Sequence, residues 1–235
     1  AVPGFEIRVL QDGQAIYHQA FGDWSLDRPA RVDSSTKTLS GALMMSLAET
    51  GANGFSLDSP VSDFLTDFEK PGYRDITVRQ AFSHTSGLPA EGAASLILLN
   101  PNITLQQAAR WISFKPLENG PPGSTFGYGG LSMHVAGAAA EVAAGEDFVD
   151  LFANRITTPL GMTSTRFAGA NPLHPRVAGG VESTATDFAR FMDMLLNQGV
   201  DRVTGARVLE AGSVEEMLTR QTNDAQPIES SPTDI

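Results

Sequence analysis

The 235-residue chain has no cysteine, which removes disulfides, thiol nucleophiles and thiolate metal ligands together and leaves export permitted. It has no apolar run near the roughly 20 residues that a bilayer-spanning helix requires. The longest, Leu39 to Ala48, is broken by Ser40, Gly41 and Ser46, so no membrane span is expected. Basic blocks are also absent: 16 Lys and Arg stand against 27 Asp and Glu, and a formal charge of −11 makes nucleic acid an unsuitable partner. Histidine is scarce. His18, His84, His134 and His174 lie in unlike segments without metal-binding spacing, so they read as structural or surface residues and no metal is expected. No serine has the glycines of a Gly-x-Ser-x-Gly elbow, and residues 120–130, though rich in glycine, lack the features of a phosphate or dinucleotide loop. No signal peptide precedes Ala1, but processing would leave the same start, and a periplasmic or secreted location is favoured over a cytoplasmic one.

Hydrophobic residues at 41% and charged residues at 18% describe an ordinary globular chain, long enough for one large domain or two interleaved lobes. Two β-prone runs, Phe5 to Leu10 and Ala15 to Phe21, flank Asp12-Gly13 and predict a hairpin. Asp33 stands where an N-cap belongs, and Ser34 to Thr50 then runs without proline to Gly51, predicting a helix of about five turns. Leu39, Ala42, Leu43, Met45 and Leu47 cover more than one stripe, so this helix is expected in the core. Capping boxes are predicted at Thr77/Gln80, Thr104/Gln107 and Ser213/Glu216. Helical spacing recurs at Leu131, Val135, Ala138 and Val142 before Gly145, and at Phe188, Phe191, Met192, Leu195 and Leu196 before Gly199. Met44, Met45, Met192 and Met194 read as core filling. Residues 226–235 read as a loop in transit.

Ser34 and Lys37, three residues apart at a helix start, share a face. A serine needs a neighbouring base to become a nucleophile, and an amine at this position can supply one. Alone, such a pair arises by chance about once in a chain of this size and reads as a helix-start serine beside a snorkelling lysine.

Longer stretches support the chemical reading. Asp33-Ser34-Ser35-Thr36-Lys37, the helix to Gly51, and Ser56 to Leu65 resemble the start of β-lactamase-related serine hydrolases, the class C β-lactamase and penicillin-binding-protein-like family with its esterases. Ile76 to Pro89, Pro122 to Tyr128, Pro159 to Thr163 and Ala178 to Ala185 continue the likeness over nearly the whole chain. The resemblance implies Ser34 as nucleophile, Lys37 as its lysine partner and Tyr128 as the first residue of a Tyr-x-Asn motif. A phenol beside a cation is a suitable proton shuttle for both half-reactions. Gly130 stands where the family has asparagine; as a substrate-binding position it lacks an amide anchor, which ranks small carboxylic esters above β-lactams and D-amino-acid peptides. The third family motif, a Lys or His followed by Thr or Ser and Gly on an edge strand, has no counterpart after Tyr128. A C-terminal segment that was cleaved, left out or sits in a separate chain is therefore expected to complete the sheet.

The expected fold is α/β with a helical lobe, an antiparallel sheet flanked by helices. Residues 1–53 and 180–235 form the α/β part and residues 54–179 the mainly helical lobe that carries the tyrosine. The expected function is acyl-enzyme hydrolysis of small esters or β-lactam-like amides, with no cofactor. A penicillin-binding or sensor module that acylates with little turnover, or a D-amino-acid peptidase, remains open beside it.

Overall fold

The computed structural model describes residues 2–90 and 93–231. The predicted hairpin is present: β1 (Gly4–Gln11) and β2 (Gln14–Gly22) pair antiparallel around Asp12 and Gly13, which both take positive φ. Glu6, Arg8 and Leu10 share a cleft with Phe188 and Met192 of a later helix, while the alternate residues Phe5, Ile7 and Val9 are exposed. Among the described residues β1 pairs only with β2. A second small sheet joins β3 (Ala30–Arg31) to β6 (Val181–Ser183), and β6 to β5 (Arg166–Phe167), all antiparallel.

The helices are α1 (Thr36–Thr50), α2 (Val78–Phe82), α3 (Leu105–Ser113), α4 (Leu131–Ala144), α5 (Phe148–Phe152), α6 (Ala185–Leu196) and α7 (Ala211–Leu218). Capping boxes at Thr77/Gln80 and Thr104/Gln107 are complete in both directions. Helix α1 buries Leu39, Ala42, Leu43, Met44 and Leu47 and ends at left-handed Gly51. Helix α4, rich in alanine, is buried on nearly every side, because small side chains let α1, α2, α3 and α5 approach its backbone closely.

Four local expectations are corrected. Ser34 is not yet α-helical: Asp33–Ser35 form a 3₁₀ turn, and Asp33, at φ 42°, makes no capping bond. The Val32 N–H donates to the Val181 carbonyl at 3.0 Å, so strand pairing sets the entry angle and overrides the local cap. No capping box forms at Ser213, because α7 starts after Glu210 and the Glu216 carboxylate is engaged by Arg79 and Gln221. Met192 is 42% exposed whereas Met44 and Met194 are buried, since it borders the open cleft beneath β1. Within the C-terminal stretch, Ile228–Ser230 form β7, parallel to β4 (Phe126–Gly127). Here the tertiary partner supplies what local pattern lacks.

Glu141 of α4 accepts from the Phe148 N–H at 3.0 Å and from Gln106 at 3.3 Å, tying α3, α4 and α5 together. Burial is the largest influence on its carboxyl and pushes it up to about 7. The folded state therefore keeps a proton that the unfolded chain, with its ordinary value of 4.5, gives up, so stability falls as pH rises from about 4.5 to 7. Glu141→Gln should remove that slope. Its stability relative to the parent, read from urea unfolding, should improve by up to about 3 kcal/mol between pH 4.5 and pH 8; parallel pH curves would show that Glu141 is not the titrating group.

Candidate active site

The first turn of α1 is laced to the segment before β6. Thr36 Oγ1 accepts from the Val181 N–H at 3.1 Å, Ser40 Oγ donates to the Val177 carbonyl at 2.7 Å, and Lys37 Nζ donates to the Ala178 carbonyl at 2.8 Å. Thr36 and Ser40 are fully buried, so these bonds are sheltered from water and fix where Ser34 stands. Lys37 Nζ also donates to Ser34 Oγ at 3.2 Å.

Tyr128 arrives from the opposite side. The Gly127 N–H donates to the His84 carbonyl at 2.8 Å and the Tyr128 N–H to the Ser230 carbonyl of β7 at 3.1 Å. The next residue must be glycine: a Cβ at Gly129 would lie 1.8 Å from the Ala90 carbonyl oxygen. Tyr128 Oη then donates to Ser34 Oγ at 2.8 Å, and its ring centroid lies 4.6 Å from Lys37 Nζ. The three residues singled out in the sequence are thus mutually in reach. They line one cleft of about 190 Å³ together with Gly130, His134 and Arg176, and Ser34 is exposed to solvent there.

Gly130 also borders the cleft, as the residue preceding α4, and its carbonyl accepts from His134 Nδ1 at 2.8 Å. A Cβ at this position would meet Leu98 Cδ1 at 2.9 Å, so Leu98 occupies space that a longer side chain would need. Neither its amide nor its carbonyl is shown to hold a ligand.

His84, a structural or surface residue by the sequence reading, is structural and stands beside the tyrosine. Its φ of 60° is unusual for a residue with a Cβ, its ring packs 4.7 Å from Tyr128 and 5.6 Å from Phe126, and its Nδ1 accepts from the Gly129 N–H at 3.4 Å. Burial, aided by the Lys37 charge, pushes its imidazole down to about 4. A neutral imidazole thus braces the tyrosine without adding a second cation beside Lys37. The signal available in sequence was its place inside Ser83-His84-Thr85-Ser86-Gly87, a part of the family-like stretch. Away from the cleft, Glu6, His18 and Asp27 bring possible ligand atoms within 4.8 Å of one another, but Arg8 lies 2.8 Å from one His18 nitrogen and Glu6 lies 2.5 Å from the other. That arrangement is a closed hydrogen-bond chain.

Comparison with known proteins decides the family: the β-lactamase family model matches residues 1–231. The chain belongs to the β-lactamase family. A candidate β-lactamase from Bacteroides dorei DSM 17855 superposes with a TM-score of 0.83 at 31% identity, covering 97% of this chain and 68% of that one. A D-stereospecific amidohydrolase from Streptomyces sp. gives 0.70 at 26% identity, over 93% and 73% of the two chains. AmpH of Escherichia coli strain K12, a D-alanyl-D-alanine carboxypeptidase/endopeptidase, is 30% identical over 222 residues, which cover 80% of this chain. The match spans 56% of AmpH, so the chain corresponds to about half the length of that relative. The β-lactamase/transpeptidase-like architecture expected from sequence is the one found.

Within this family fold, the Lys37 and His84 placement has a direct spectroscopic consequence. In an NMR titration the His84 ring should change protonation below pH 5, and Lys37→Met should move that midpoint upward because the second cause of the shift is removed. A parent midpoint near 6.5, or no movement in the variant, would contradict the packing described.

Proposed function

We propose that this chain is a serine acyl-hydrolase that works through an acyl-enzyme and takes small carboxylic esters in preference to β-lactams or D-amino-acid peptides. The observation that carries the proposal is that one exposed hydroxyl, Ser34 Oγ, lies 3.2 Å from an amine and 2.8 Å from a phenol. That spacing suits transfer of the serine proton as the nucleophile attacks.

In this reading Ser34 Oγ adds to the ester carbonyl carbon and its proton passes to the Lys37/Tyr128 pair. The oxyanion leans on the Ser34 N–H, one of the amides that a helix start leaves without an internal partner. The alcohol departs with the proton, water attacks the acyl-enzyme with the same pair as base, and the acid is released. No step calls for a cofactor. The peptidase relative AmpH supports amide substrates in the family, whereas Gly130, hemmed by Leu98, offers no side-chain amide to hold a peptide-like group and favours the simpler ester.

Fluorophosphonate labelling and steady turnover of 4-nitrophenyl butyrate should both vanish in Ser34→Ala. Tyr128→Phe, which keeps the ring over Lys37 but loses the hydroxyl, should lower kcat about 10²–10⁴-fold. Turnover that survives Ser34→Ala sinks the proposal, and labelling of Ser34 without turnover assigns the acylating binding module instead.

A further inference from the structure

The cleft that holds Ser34 does not end at the reacting groups. It adjoins a second cleft of about 250 Å³, with Leu98, Leu99 and Arg176 forming part of both walls. The second cleft runs past Arg31, Asn100 and Asn171, and among the described residues its lining has no acidic side chain. In a chain carrying 27 acidic residues against 16 basic ones, two arginines with no carboxylate among the described lining residues are a local reversal of the overall charge.

Neither arginine is spent on the protein. Among the described residues, Arg31 and Arg176 have no carboxylate within 4 Å and make no side-chain hydrogen bond, although Arg79, Arg110, Arg166, Arg190, Arg202, Arg207 and Arg220 all pair with acids. Arg176 is held by its backbone: its carbonyl accepts from the N–H groups of Gly179 at 3.0 Å and Gly180 at 2.8 Å. The same turn presents the Ala178 carbonyl to Lys37, so the Arg176 backbone and the Lys37 amine are held by one short segment, from which the exposed arginine side chain extends. His134, buried on the cleft wall between them, feels both positive charges, and these add to the burial that keeps its ring neutral. Among the described residues of the Ser34 side Asp33 is acidic, and it forms no ion pair with Arg176.

We propose that the joined groove is a subsite for a carboxylate-bearing arm of the substrate, with Arg176 as the selecting cation and Arg31 as its outer neighbour. The preferred substrates are therefore half-esters of dicarboxylic acids or similarly anionic acyl compounds, whose carboxylate meets the Arg176 guanidinium while the ester carbonyl meets Ser34. This deepens the ester-hydrolase reading and rests on it for the position of the carbonyl.

The test compares 4-nitrophenyl hydrogen adipate with its neutral analogue 4-nitrophenyl methyl adipate, after subtraction of spontaneous hydrolysis. The parent should prefer the anionic ester in kcat/KM. The anionic-to-neutral ratio should fall about tenfold or more in Arg176→Gln, recover largely in Arg176→Lys, drop below one in Arg176→Glu, and shrink with added salt. Arg31→Gln should lower the ratio less. A parent ratio at or below one, or a ratio indifferent to these changes, overturns the proposal while leaving neutral-ester turnover as evidence for the Ser34 reading. If neither ester turns over, calorimetric titration of Ser34→Ala with methyl hydrogen adipate still decides. Binding that weakens at least tenfold when Arg176→Gln is added supports the subsite, and unchanged or absent binding rejects it.

Discussion

The structure depends on the stitching of the first turn of α1 to residues 177–181. Three side chains within five residues, Thr36, Lys37 and Ser40, each reach that segment at positions 177, 178 and 181. A buried hydroxyl or amide left without its partner costs about 1–3 kcal/mol, so the two buried members resist separation of helix and strand. Lys37 differs from them because it is only half-buried and shares its hydrogens with Ser34. The scaffold is therefore closed by inert hydroxyls on either side of a group that retains chemical freedom.

Tyr128 is held by a different kind of constraint. Its loop has no regular element long enough to be rigid alone; β4 spans two residues and β7 three. Rigidity comes from backbone groups of distant segments: the His84 carbonyl, the Ser230 carbonyl and the close approach of Ala90 to Gly129. His84 accepts an unusual φ and a depressed proton affinity to stand there. Strain and burial of this sort persist only when the surroundings over-determine them, and at His84 the backbone bond from Gly127 and the packing of Phe126 and Tyr128 do so. The chain position of β7 has a further consequence, since changes near residue 230 act directly on the backbone that carries the phenol.

Much of this was legible in the sequence, for identifiable reasons. The hairpin followed from Asp12-Gly13 and two helix starts from Thr-x-x-Gln, because in each case the deciding partners lie within four residues. Ser34 and Lys37 share a turn, so spacing alone made them neighbours; Tyr128, 94 residues from Ser34, was reached only through family likeness. What could not be read depends on partners far along the chain. The Asp33 cap was displaced by Val181, the Ser213 box by Arg79, and β7 exists only because β4 receives it. Arg176 carries no motif at all; its interest lies in its having no carboxylate within 4 Å among the described residues, a property of three-dimensional neighbourhood.

The proton inventory around Ser34 limits how the proposed reaction can run. Ser34 Oγ has two lone pairs, and both receive donors, one from Lys37 and one from Tyr128. The arrangement therefore steadies negative charge on Oγ but offers no acceptor for the serine proton. One of the two donors must first give up a hydrogen. If the amine does so, it still has two N–H groups, and it can keep the Ala178 carbonyl while turning its lone pair to Ser34. If the phenol does so, its only hydrogen is gone and the phenolate stays beside the Lys37 cation, 4.6 Å from the ring centroid. Either route leaves one donor and one acceptor on Ser34, which is the composition that attack requires.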